Sequence, residues 1–241
     1  SIRRQRQMCI RDSMNTTVAF LAQTLAIFMG FFTRVVFTRT LSEGYVGING
    51  LFTDILNILS LSELGVGTAI TYALYAPIAR RDIKKQQILM RMFRNFYRIT
   101  AGFVLLAGLC LIPFLDILMK DRPDVNHLII IYLLYLLNSV VSYLLIYKKT
   151  LVDAHQMNYI TVMYHNGFLV LQDILQIMVL FLTRNFILFL VIAVICTIIG
   201  NICMSRRADR LFPYLKEPCK EQLPQEERHD ILRNVKAMLM H

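Results

Sequence analysis

The stretch LFTDILNILSLSELGVGTAITYALYAPIARRDIKK, Leu51 to Lys85, decides the fold. It reads as an apolar helix of membrane length that ends in Arg80, Arg81, Lys84 and Lys85, yet carries a carboxylate, Glu63, far inside. A helix advances roughly 100° per residue, so Asn49, Thr53, Asn57, Ser60, Glu63, Gly67 and Thr71 share a sector of about 120°. Asp54 lies just off its edge. Glu63 therefore belongs to a polar stripe that runs the length of the helix. The run from 45 to 76 is too long for one straight crossing, and Gly65 and Gly67 predict a kink or an extension beyond the bilayer.

The rest of the chain has the same character. Of 241 residues, 56% are hydrophobic, an excess over soluble domains that implies apolar surface meant for lipid. The net charge of +10 lies in short loops between apolar runs, not in one stripe, which excludes a nucleic-acid partner. Cys9, Cys110, Cys196, Cys203 and Cys219 show no CxxC spacing, and no metal site or cofactor is expected. HExxH, GxSxG and phosphate-cradling glycine loops are missing, so no covalent enzyme chemistry is expected either. The first apolar run reads as a retained span without a cleavage site. RRQRQMCIRD, Arg3 to Asp12, resembles a translated sequencing adapter, and residues 1–13 are set aside from the fold argument.

A bilayer core of about 30 Å needs roughly 20 apolar helical residues. Six runs reach that length, at about 16–37, 45–76, 99–119, 128–147, 158–182 and 186–205. They predict an all-α, six-helix transmembrane bundle over 14–205. Lys and Arg in short loops set orientation. With the start inside, seventeen fall inside, Lys148 and Lys149 among them, and only Arg34, Arg39, Lys120, Arg122 and Arg184 fall outside. Both ends are then cytoplasmic. In 206–241, Ile231, Leu232, Val235, Met238 and Leu239 recur at helical spacing, which predicts an amphipathic segment along the cytoplasmic interface.

Polar stripes recur on other spans. Gln23, Gly30, Arg34 and Thr38 share one face of the first. Asn158, Thr161, His165, Gln172, Gln176 and Thr183 align on the fifth, with Asp173 beside them, and Tyr132, Tyr135, Ser139 and Tyr143 make a milder stripe on the fourth. Ionisable groups at bilayer depth usually face a bundle interior or a wet cavity, which points to transport. The competing reading is helix packing through interhelical hydrogen bonds and close backbone approach. Arg34 and Arg39 also lie near enough to the outer interface to snorkel, and Glu63, Asp173 and His165 fit either reading.

FFTRVVF, GINGLF, LSLSELGVGTAITYALYAPIA, YLLNSVVSYLLIYKKTLVDAHQ and RRADRLFPYL together resemble the bacterial polysaccharide flippases of the multidrug/oligosaccharidyl-lipid/polysaccharide exporter superfamily. The resemblance implies two six-helix lobes about a central lumen with alternating access. This chain would supply the N-terminal lobe, with 206–241 as the linker toward the second. It implies an oligosaccharide repeat unit on undecaprenyl pyrophosphate as substrate, in the bacterial cytoplasmic membrane, with a glycan polymerase and glycosyltransferases as partners. Arg34 and Arg39 match a cationic lumen, joined by Gln23, Asn49 and Asn57. Glu63, with Asp54, Asp173 and His165, would balance charge or couple an ion. His155 departs from the pattern, standing where an acidic residue is expected. A drug/cation antiporter of the same superfamily and a membrane-embedded glycan-assembly enzyme are the alternatives.

Overall fold

The computed structural model describes the backbone of residues 2–60, 66–115 and 127–216, and the side chains of 16–59, 71–115 and 127–215. Among these the chain is all helix. The elements are α1 (Ile2–Thr40), α2 (Glu43–Ser60), α3 (Val66–Ala79), α4 (Ile83–Leu111), α5 (Leu128–Leu144), α6 (Ile146–Ala154), α7 (Asn158–Thr183) and α8 (Phe186–Leu211), with short 3-10 turns at Ile112–Phe114 and Pro213–Lys216. The backbone of α1 continues through the residues set aside as adapter.

Four helical stretches are long and apolar enough to cross a bilayer: Thr16–Thr40, Ile83–Phe114, Asn158–Thr183 and Phe186–Leu211. A fifth is the pair α5 and α6, bent by 41°. Among the described residues there are thus four to five such helices, which suits a membrane-embedded protein. The second apolar run is carried by α2 and α3, neither of which meets that standard of length and apolarity by itself. Residues 61–65, Glu63 among them, lie outside the described residues, as does the amphipathic segment expected in the tail.

Small residues and polar bonds set how closely the helices approach. At Gly108 on α4, a Cβ would sit 2.4 Å from Leu136 Cδ1, so only glycine lets α5 come this near without moving that leucine. The Tyr132 hydroxyl donates to the Gly108 carbonyl at 2.8 Å, closing the same seam. Phe52 of α2, fully buried, meets the Tyr132 ring edge-on at 5.1 Å. Gln176 Nε2 of α7 donates to the Phe189 carbonyl of α8 at 3.0 Å. Bonds of this kind satisfy polar groups that lipid cannot.

The two ends of the bundle differ. At one, Phe37, Tyr45, Phe186 and Phe189 gather the end of α1 and the starts of α2 and α8, with ring centroids 5.1–5.9 Å apart. At the other, Gln86 Nε2 donates to the Pro77 carbonyl at 3.2 Å, joining α4 to α3. Tyr214, just past α8, donates to Gln86 Oε1 at 2.6 Å. Lys148 pairs with Asp209 at 2.8 Å. The connections between α3 and α4, around α6, and after α8 therefore share one end. These are the described connections in which the sequence concentrates Lys and Arg.

Candidate functional site

The sequence-expected site residues divide between an outward face and a cavity. On α1, Thr33 and Phe37 are buried, and Thr33 Oγ1 lies 3.0 Å from Asp173 Oδ1 on α7. Gln23, Arg34, Thr38 and Arg39 are exposed on the rest of the helix. The Arg34 guanidinium rests 5.7 Å from the Phe37 ring centroid. On α2, Phe52, Ile55 and Leu56 point inward, while Thr53, Asp54 and Asn57 are exposed. Asn49 is half-buried and accepts a hydrogen bond from the Tyr135 hydroxyl of α5. That bond joins α2 to α5.

A polar cavity, partly open to the surface, lies elsewhere. A cavity of about 380 Å³ opens between α5, α6, α7 and α8. Among the described residues, His165 is the only sequence-expected site residue that lines it. The others on its wall include Asn138, Ser139, Ser142, Lys149, Thr161, Tyr164, Gln172, Thr197 and Asn201. Several came from the stripe read on the fifth span, but Lys149, Asn138, Thr197 and Asn201 were not singled out. The signal for the α8 pair was there: Thr197 and Asn201 stand four apart in an otherwise apolar run, so they share one helical face. Gly200 lets α7 close on α8, since a Cβ there would lie 3.1 Å from Phe168 Cγ.

Hydrogen bonds fix the walls. Asn201 Nδ2 donates to the Val141 carbonyl at 3.1 Å. The Thr161 hydroxyl lies 2.6 Å from Asp153 Oδ1 and 2.8 Å from the Asn158 carbonyl. Asn138 Oδ1 is buried on the cavity side of α5 without a partner among the described residues. The two neighbouring lysines are used differently. Lys148 Nζ contacts Ser205 Oγ and Asp209 Oδ2, both at 2.8 Å, whereas Lys149 is half-buried on the cavity wall.

Below the cavity, at the basic end, the His155 ring packs tilted against Phe212 with ring centroids 4.3 Å apart. Its Nδ1 lies 3.0 Å from the Leu151 carbonyl. Burial holds the imidazole below its ordinary value of 6.5, partly countered by that backbone bond. The ring at this position thus serves in packing. Tyr214, beside Phe212, is pushed by burial up to about 12. Among the described residues, no three His, Cys, Asp or Glu side chains converge as a metal site. Neither a protein-family model, nor a curated protein, nor a solved structure matches this chain.

Proposed function

We propose that the chain is one lobe of a lipid-linked oligosaccharide flippase. It would pass undecaprenyl-pyrophosphate-linked repeat units across the bacterial cytoplasmic membrane by alternating access, without covalent chemistry. In this reading α2 and α3 form one broken crossing, which brings the count to six, and the basic end is cytoplasmic. The observation that carries the proposal is the outward polar face of α2, where Thr53, Asp54 and Asn57 are exposed. At ~1.5 Å per residue they stand roughly 15–21 Å from the start of the helix. A carboxylate facing lipid at such depth costs about 3 kcal/mol or more. Such a face calls for water or a second polar surface, and a facing lobe across a wet lumen supplies both. Arg34, on the neighbouring α1, suits the pyrophosphate because its planar fork donates paired hydrogen bonds.

The test uses the full-length protein. Arg34→Ala is expected to abolish surface glycan while membrane insertion and abundance persist; normal glycan export by a stably inserted variant would refute the arginine's role. Asp54→Cys, in a background without other cysteines, is expected to react with a membrane-impermeant maleimide. Protection of that thiol while loop cysteines react would mean the α2 face meets lipid, and the flippase reading fails. Drug resistance conferred by expression would favour the antiporter. Shortened polymer with intact flipping would favour the glycan-assembly enzyme.

A further inference from the structure

We propose that the cavity between α5, α7 and α8 binds the phosphodiester headgroup of an anionic phospholipid. The inference needs only that the bundle sits in a bilayer, and it stands whether or not the lobe is a flippase. Lys149 is the first ground. Its neighbour Lys148 is committed to Asp209 and Ser205, while Lys149 lines the cavity with no carboxylate in ion-pair range among the described residues. The second ground is the chemistry of the wall. His165, Tyr164, Ser142 and Asn201 supply polar groups to the same wall, and among the described residues no Asp or Glu lines the space. Asp153, four residues along α6 from Lys149, feels the lysine's charge, but its carboxylate receives the Thr161 hydroxyl at 2.6 Å and lies outside the wall.

Size and position agree. A volume of about 380 Å³ has room for a small headgroup. Lys149 lies at the end where the basic connections gather, the level at which lipid phosphates would sit, and basic pockets between membrane helices at this level characteristically take anionic headgroups. Deeper in, Phe168 and Leu169 offer an apolar wall to the first methylenes of an acyl chain.

The experiment is native mass spectrometry of the purified, delipidated full-length protein, titrated with phosphatidylglycerol or phosphatidylethanolamine. Wild type is expected to retain phosphatidylglycerol several-fold better, and Lys149→Gln to lose about fivefold of that retention, the effect of one surface cation. Lys149→Arg should restore it. Ser142→Leu, which narrows the cavity without changing charge, should weaken it too, and Arg207→Gln, exposed at the same end, should not. Monodisperse elution and unchanged helicity establish that each variant is folded. Equal retention of both lipids, or retention indifferent to Lys149 and Ser142, overturns the proposal. Glycerol 1-phosphate binding as tightly as the lipid overturns it as well, in favour of a soluble phosphate ester.

Discussion

Gly102 and Gly108 stand six residues apart on α4 and do opposite things. A Cβ at Gly102 would meet nothing within 4 Å, whereas one at Gly108 would press on Leu136. Gly102→Ala is expected to raise stability by up to about 1 kcal/mol through helix propensity. Gly108→Ala should lower it by about 1–2 kcal/mol, because the buried Leu136 must leave its rotamer. Thermal unfolding in detergent separates the two. Tyr132→Phe removes the bond to the Gly108 carbonyl and should cost about 1 kcal/mol, the scale of interhelical bonds in membranes. The tyrosine stripe was legible in the sequence, but its role was not: Tyr132 and Tyr143 are buried in packing, and Tyr135 serves Asn49. A side chain's spacing fixes its face, never what lies opposite.

At the scale of elements, α2 followed its pattern closely. Its 3.6-residue period put Phe52, Ile55 and Leu56 inside and Thr53, Asp54 and Asn57 outside. The start of α8 rests on Asn185, whose Oδ1 accepts from the amides of Ile187 at 2.9 Å and Leu188 at 3.3 Å. Asn185→Ala leaves those amides bare and should cost about 1 kcal/mol. Faster amide exchange confined to the first turn of α8 is the readout. By contrast, α1 gave an ambiguous reading. Phe20, Phe28, Phe31 and Phe32 are exposed along with Arg34, because α1 leans chiefly on α7, where Thr33 meets Asp173, while Phe37 packs on the start of α8.

At the scale of the whole molecule, the basic end is tied together by Lys148, Tyr214 and His155, and this makes a pH prediction. The His155 imidazole is held below 6.5 by burial, so the folded form resists protonation more than the unfolded chain does. Its contribution is fully present above pH 6.5 and is lost as pH falls through the depressed value. Proteolysis after Phe212 is expected to quicken between about pH 7 and 5, and His155→Gln should flatten that dependence. Equal pH sensitivity in the variant would show that another group controls the docking of this segment.

The sequence by itself determined that the chain is helical, apolar and alternating in direction. Run length, 3.6-residue spacing and the placement of Lys and Arg are local properties that survive without knowledge of neighbours. It also marked Thr161, His165 and Gln172 as one face of α7. Only the tertiary structure decided which polar faces meet. It turned Thr53, Asp54, Asn57 and Arg34 outward, tied Asp173 to Thr33, and gathered Lys149, His165 and Asn201 around one cavity. Such pairings join residues far apart in sequence, and they follow from how close each pair of helices can approach, a distance that glycines such as Gly108 and Gly200 set through their missing side chains.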